Sequence, residues 1–232
     1  MATTALVTGV LTTTAATVFN GGFASNAAST ITTADNLDTL SLISTDADAA
    51  QGPNLRMYRN SGSPADNDVL GIIEFEGRND NSQDVVYAQV GAQAIDVSDG
   101  SEDTNYFINT IVAGTLRNRI NARPTEVVIN DDSIDVDFRV ESDGNTHALF
   151  VEGSTGSVGV GTSSPSRALS TKSSSVTVAN FESTSGTAGF ISFSDSNTTN
   201  DVTVRAGAVG DNLVLQAGGA ERMRIDSVGN VG

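Results

Sequence analysis

Acidic side chains are the most frequent candidates for chemistry in this sequence. They cluster at residues 46–50 (DADAA), 101–104 (SEDT) and 130–137 (NDDSIDVD). A glycosidase needs two carboxyl groups held across a sugar-binding cleft, with burial raising the pKa of one of them. These carboxylates instead occupy turn-like positions or alternate with apolar residues, as Asx-turns and solvated strand faces do. Because the chain has no Trp and only three Tyr to stack against sugars, we predict that it is not an enzyme.

Signals for metals, nucleotides and nucleophiles are weak as well. The run RNDNSQD, residues 78–84, contains oxygen ligands for Ca²⁺, but it lacks EF-hand spacing and a turn explains it better. His147 is the only histidine, so one chain cannot form a histidine metal site or a Ser-His-Asp triad, although three copies around an axis could meet at a metal. The glycines of residues 156–161 (GSVGVG) lack the helix and the basic residue that a phosphate loop needs. We predict no catalytic, cofactor-binding or metal-binding residues.

Four arginines occur at similar positions in two related stretches of the chain, namely Arg117, Arg119, Arg222 and Arg224. One interpretation is that these side chains contact a receptor. The alternative is that they pair with Asp or Glu of neighbouring strands or neighbouring chains. We favour pairing because it suits a strongly acidic assembly.

The composition favours an acidic protein with a thin core. The formal net charge is −16 and the pI is about 4.1, so nucleic acid and anionic membranes should repel the chain. Val, Leu, Ile and Phe together make up about a quarter of the residues, which is little for one compact core of this length. The absence of Cys excludes disulfides and thiolate metal sites.

The start of the chain and its apolar runs favour neither export nor membrane insertion. The opening stretch MATTALVTGVLTTTAATVFNGG is mildly apolar, but the first basic residue is Arg56, and a secretory signal begins with positive charge. No apolar run approaches the length of a membrane span. We therefore predict no standard export signal and no membrane insertion.

Alternation of apolar and polar residues with a period of two predicts strands along most of the chain. The clearest case is SIDVDFRVES, residues 133–142, where Ile134 to Val140 alternate with charged residues. A shorter case places Leu40 and Leu42 on one face. Turn clusters separate these runs at residues 60–68, 77–84, 98–105, 142–145 and 194–201. Helical periodicity is scarce, so we predict an all-β fold of short antiparallel strands.

An imperfect internal repeat organises the middle and the end of the chain. Similar stretches follow one another in the same order: residues 71–75 with 189–193, 84–92 with 201–209, and 114–121 with 219–226. The second copy is about a dozen residues shorter, and the difference falls across the acidic loop 96–104. We therefore predict four parts: an N-terminal segment 1–36, a first β unit 37–125, a strand pair with a Gly/Ser/Pro connector 126–172, and a shorter β unit 173–232.

Each repeated unit has few large apolar residues, so one copy alone can hardly offset the entropy lost on ordering it. Stacking the units along an axis, or wrapping several chains around one another, would supply the missing burial. Both arrangements predict an elongated, β-rich, oligomeric protein.

Much of the chain resembles one family. Residues 52–120 and the connector at 137–166, with its VGVGTSSP run, resemble tail-fibre-like structural proteins of marine tailed bacteriophages. The stretches 6–23 and 221–232 also resemble parts of such proteins. The resemblance implies a homotrimeric virion fibre, intertwined along its length, whose N-terminal end docks on the particle and whose distal end meets the host. Such fibres usually continue past a connector into a receptor-binding tip, so we expect this chain to be the proximal part of a longer fibre or a short fibre without a specialised tip.

These observations predict a structural tail-fibre subunit, located in the virion and assembled in the host cytoplasm. Its expected partners are two further copies of itself, a virion protein bound through residues 1–36, and the host surface through distal parts. The first alternative is a capsid-attached head fibre or decoration protein. A tailspike-like polysaccharide depolymerase is less favoured, and so is a bacterial surface adhesin because an export signal is lacking.

Overall fold

The computed structural model describes residues 24–49, 52–184 and 186–232. The chain divides into two units, Met1–Tyr58 and Arg59–Gly232. The predicted all-β character is confirmed, because the described residues form strands and turns but no helix.

The described part of the first unit contains no helix and no strand. Leu40 and Leu42 therefore do not lie in a strand, although their alternation predicted one; alternation marks two faces but provides no partner strand to accept hydrogen bonds. Local hydrogen bonds shape the turns here, such as the one that Leu37 N donates to Asp35 Oδ1 at 3.1 Å. Residues 1–23 of the predicted docking segment, residues 1–36, lie outside the described residues.

The described part of the second unit contains thirteen strands in three sheets, and each strand pairs only with strands adjacent to it in the sequence. The first sheet comprises β1 (Asp68–Arg78), β2 (Asp84–Asp96), β3 (Asp103–Val112), β4 (Thr115–Ala122) and β5 (Val127–Ile129). The second sheet comprises β6 (Phe138–Ser142), β7 (Asn145–Val151), β8 (Val158–Val160) and β9 (Leu169–Thr171). The third sheet comprises β10 (Gly189–Ser192), β11 (Arg205–Val209), β12 (Asn212–Ala217) and β13 (Ala220–Ile225).

The first and third sheets are antiparallel meanders with the same strand order, as the internal repeat predicted. Both turn from their third to their fourth strand through two residues with positive φ, Ala113–Gly114 and Gly218–Gly219. Two such residues form a type I′ turn, whose twist matches the flanking strands. The acidic loop between β2 and β3 is replaced in the third sheet by the two residues Gly210 and Asp211. Most of the shortening lies instead in the strands, since β2 and β3 have 13 and 10 residues where β11 and β12 have 5 and 6. The first sheet also includes β5, so it extends beyond residue 125.

The strand registers correct the alignment of the two copies by one residue. Gly91 lies opposite Ile72, and Gly207 lies opposite Phe190 in the equivalent pair of strands. The two glycines are therefore equivalent, whereas the sequence match of the second stretch placed Gly91 against Ala208. Side-chain similarity alone does not fix register, because neighbouring positions in both copies carry similar small residues.

Both meanders carry a β-bulge in their fourth strand, and an arginine occupies each bulge. The register of β3 with β4 shifts so that Arg119 has no residue directly opposite. The register of β12 with β13 shifts so that Arg222 has none. Counted from the preceding strand, Arg119 and Arg222 are therefore the equivalent pair, while the sequence match had aligned Arg117 with Arg222.

The second sheet is antiparallel except for the parallel pair β8 and β9. The connector therefore contributes strands to this sheet as well as the turn that its glycines predicted. Gly153 is required by close packing, since a Cβ there would lie 2.6 Å from the backbone of Val136. The strand predicted from residue 134 begins only at Phe138, because Asn130 and Ser133 adopt positive φ in a turn before it.

The connector and the last residues of the chain adopt the same arrangement, as their sequence similarity suggested. β7 turns back onto β8 through residues 152–157, and β13 turns back onto Val231 through residues 226–230. In the second turn, Asp226 Oδ1 accepts hydrogen bonds from the backbone N of Val228 and of Asn230, at 3.0 and 2.8 Å. Asn230 Nδ2 donates to Asp226 Oδ2 at 2.8 Å.

This turn makes the stability of the third sheet pH-dependent. The hydrogen bonds from the side chain and backbone of Asn230 hold the pKa of Asp226 below its ordinary value. The folded state is therefore stabilised above the unfolded pKa, about 3.9, and loses this contribution as the pH falls through the lower folded value. We expect Asp226→Ala to melt at a lower temperature than the wild type at pH 7. This gap, the difference in melting temperature between the two proteins, should narrow below about pH 4.

Circular dichroism melts between pH 2 and 7 check this prediction. Asp226→Asn is the control, because its amide oxygen still accepts backbone hydrogen bonds without titrating, so its gap from the wild type should be smaller at pH 7. A gap for Asp226→Ala that stays constant down to pH 2 would contradict the assignment.

Candidate assembly surface

Little of the apolar surface of this chain is buried. Among the described residues, the buried hydrophobic side chains are Phe150 and Val214, which are 5% and 0% exposed. Most of the other large apolar side chains among the described residues are exposed, for example Ile73, Ile129 and Leu215.

In the first sheet, the exposed apolar side chains concentrate on one face. Residues directly opposite in paired strands share a face, so the registers assign each side chain to one side. One row crosses all five strands and contains only β-branched apolar residues: Ile73, Val90, Ile108, Ile120 and Ile129. Phe75, Tyr106 and Val127 lie on the same side and are exposed. We call this side the apolar face of the first sheet.

The opposite side of the first sheet mixes polar side chains with apolar ones such as Ile72, Phe107 and Leu116, and we call it the amide face. Its most polar row contains Glu74, Gln89, Asn109 and Asn118. Gln89 Nε2 donates to Glu74 Oε1 at 2.6 Å, and Asn109 Nδ2 donates to Gln89 Oε1 at 3.4 Å. The side-chain oxygens of Asn109 and Asn118 are nevertheless buried and accept no hydrogen bond, so the polar groups of this row are only partly satisfied within the chain.

The other two sheets also have an apolar face. In the second sheet the row Phe138, Val151, Val158 and Leu169 crosses all four strands. In the third sheet the row is Ile191, Ala206, Leu215 and Met223. The row of the third sheet occupies the same positions in the strand order as the row of the first sheet that begins at Ile73, which we call the isoleucine row. The repeat therefore preserves the apolar face as well as the strand order.

A groove of about 590 Å³ joins the apolar faces of the first and second sheets. Ile120 and Ile129 line it from the first sheet, and Phe138 and Val151 line it from the second. Residues of both apolar faces therefore border one shared groove. Together with the apolar face of the third sheet, they form the candidate functional surface of the protein.

The carboxylates of the three acidic clusters contact residues that lie near them in the chain. Asp131 pairs with Arg123 and accepts a hydrogen bond from Asn121 Nδ2 at 2.9 Å. In the other two clusters, Glu102 Oε2 accepts from Gly100 N at 3.2 Å, and Asp46 Oδ1 accepts from the next residue but one, Asp48, at 3.3 Å. These contacts are those of turns and ion pairs, as the sequence pattern indicated.

The remaining candidates also have local roles. In the run 78–84, Asn79 Oδ1 accepts hydrogen bonds from Asn81 N and Gln83 N, which confirms the predicted turn. His147 lies in β7 and is half-buried, with its ring centroid 5.3 Å from that of Phe150. The described part of the chain contains no group of three or more His, Cys, Asp or Glu residues placed to hold a metal.

Two of the four arginines pair with carboxylates of their own chain, but with a residue of the same strand and with a turn residue rather than with neighbouring strands or chains. Arg224 forms a two-pronged contact with Glu221, at 2.8 and 2.7 Å, and this contact holds the pKa of Glu221 below its ordinary value. Arg117 lies 3.9 Å from Asp132. Both pairs are substantially exposed, so each contributes little to stability.

The two bulge arginines make other contacts. Arg119 Nε donates to Thr110 Oγ1 at 2.6 Å, and Arg222 Nε donates to Ala217 O at 3.0 Å. Each contact connects the bulge to the strand beside it. These arginines therefore connect the fourth strand to the third strand at equivalent positions of the two meanders.

Comparison with known protein families finds no family that matches this chain, and comparison with curated proteins finds no significant match. Residues 24–49, 52–184 and 186–232 contain no helix that is long and apolar enough to cross a membrane.

Proposed function

We propose that this chain is a structural subunit of a virion fibre that assembles as a homotrimer. The observation that carries the proposal is that each sheet has a continuous apolar face left uncovered by its own chain. Burying such a face against other copies supplies the core that one chain lacks. The resemblance of residues 52–120 and 137–166 to tail-fibre-like proteins of tailed bacteriophages supports a fibre in particular.

In this proposal the protein supports host attachment without catalysis. The repeated sheets form a shaft, and residues 1–36 dock the shaft on the tail of the particle. Several fibres on one particle, each binding the host weakly, give strong attachment through a high effective concentration. The carboxylates contribute solubility and local turns, which agrees with the contacts they make.

The mass of the purified protein is the first test. We expect light scattering to give about three times the subunit mass of 23.8 kDa, because the apolar faces are covered only in the assembly. A homogeneous species at 23.8 kDa across micromolar concentrations would contradict the proposal.

Docking is tested separately by deleting residues 1–30. The shortened protein should remain oligomeric and β-rich by circular dichroism, but it should no longer decorate particles that lack the native protein. Electron microscopy of particles carrying the full chain should place the added density at the tail. Density on the capsid would reassign the protein as a head fibre, and decoration by the shortened chain would contradict the docking role.

A further inference from the structure

We infer that the copies contact one another through the apolar faces rather than through the amide face of the first sheet. This inference rests on the proposed function, because it presumes that the chain self-associates. It goes further by assigning the contact to one side of each sheet and to named rows of residues.

The apolar rows identify the occupant of this surface as another copy of the chain. They recur in all three sheets, and in the two meanders they occupy equivalent positions. A partner that covers all of them must present apolar surface along the whole series of sheets, and the chain itself presents such a series.

Charge favours contact through the apolar rows over the opposite arrangement, although the groove that the apolar faces share is itself bordered by Arg119, Asp137 and Glu152. Contact through the amide face would bury Glu74 and the polar row beside it, and desolvating a carboxylate without a cationic partner is costly. The equivalent side of the second sheet carries Arg139, which would also be buried. Because each chain has a net charge of −16, copies can approach closely only through surfaces that carry few charges. The isoleucine row of the apolar face carries none.

The groove between the first and second sheets provides the deepest part of the contact. Ile120, Ile129, Phe138 and Val151 form its walls, and Asp137 and Glu152 also border it. An apolar side chain of a second copy would be enclosed there. Flat sheet faces can slide against one another, so a groove of this kind also fixes the register between copies.

Two consecutive isoleucines provide a matched test. Ile73 belongs to the apolar row and Ile72 to the other face, yet their exposures are similar, at 42% and 37%. We expect Ile73→Asp to raise the concentration for half-dissociation at least 100-fold, so that light scattering at micromolar concentration finds mainly monomer. Ile72→Asp should stay within a few-fold of the wild type.

Cross-linking answers the same question without introducing a charge. The chain has no cysteine, so Ile73→Cys and Ile72→Cys each carry a single thiol. A bis-maleimide should link subunits of the Ile73→Cys protein and leave the Ile72→Cys protein as single chains in a denaturing gel. If the wild type is monomeric, the proposed function fails; if the wild type is oligomeric and only Ile72→Cys cross-links, the inference fails and the proposed function stands.

Discussion

Replacing Gly207 with alanine is expected to unfold the third sheet. A Cβ at this position would lie 2.6 Å from Phe190 Cα and closer still to the carbonyl oxygen of Gly189. Both are backbone atoms of the neighbouring strand, so the methyl group can be accommodated only by separating β10 from β11. We expect a loss of about 3 kcal/mol or more in the free energy of unfolding, at or above the upper end of typical overpacking.

The equivalent residue of the first sheet is the matched control. At Gly91, the nearest atom to an added Cβ would be Phe107 Cζ, at 2.5 Å, which is the far end of a side chain that can rotate. Gly71 O, at 3.2 Å, requires only a small adjustment. We therefore expect Gly91→Ala to cost about 1 kcal/mol, near the lower end of overpacking.

Thermal melts and hydrogen exchange of the strand amides measure both variants. Gly207→Ala should lose amide protection in β10 and β11 while β1 to β5 keep theirs. Equal effects of the two substitutions would contradict the predicted difference in packing between these glycines.

Gly161→Ala is the second substitution expected to be severe. Gly161 has a φ of +73°, which L-residues rarely adopt, and a Cβ there would meet the carbonyl oxygen of Lys172. Lys172 N donates to Val160 O at 2.9 Å, so the clash falls on the parallel pairing of β8 with β9. Backbone strain of about 1 kcal/mol adds to the clash, and we expect a total of about 3 kcal/mol or more.

Gly156→Ala separates these two causes. Gly156 has a φ of +71°, but an added Cβ would have nothing within 4 Å, so only the backbone strain applies. We expect this variant to lose about 1 kcal/mol in the free energy of unfolding. Denaturant titrations of the Gly156→Ala and Gly161→Ala proteins measure both losses. If the Gly156→Ala and Gly161→Ala proteins lose equal stability, the close approach at Gly161 contributes nothing.

The strand content and the repeat could be predicted from the sequence because both depend on local order. Alternation of apolar and polar residues marks strands, and the runs containing Gly, Asn and Asp mark the turns between them. The order of the similar stretches then identified the two meanders. Alternation failed where no partner strand exists, as at Leu40 and Leu42, and where a turn interrupts it, as at Ser133.

The candidate surface could not be predicted because it depends on register. Alternation predicts which neighbours share a side of the strand with Ile108 or with Ile120. Only the pairing of β3 with β4 shows that Ile108 and Ile120 lie on the same face of the sheet. The bulge at Arg119 shifts by one residue which side chains of β4 lie on each face. No local sequence pattern indicates this bulge. Aligning the two copies on Gly91 and Gly207 would have revealed part of the matching rows.

The sequential pairing of the strands has a kinetic consequence. Because each strand of the two meanders pairs antiparallel with its neighbours in the chain, the first and third sheets can form by local hairpin closure, which takes about 1–10 μs. The parallel pair β8 and β9 of the second sheet needs a crossover connection instead. If the final core forms between chains, the slow step of refolding is their encounter rather than the formation of either meander. The refolding rate should then rise with protein concentration, while the rate at which strand signal first appears in circular dichroism should not.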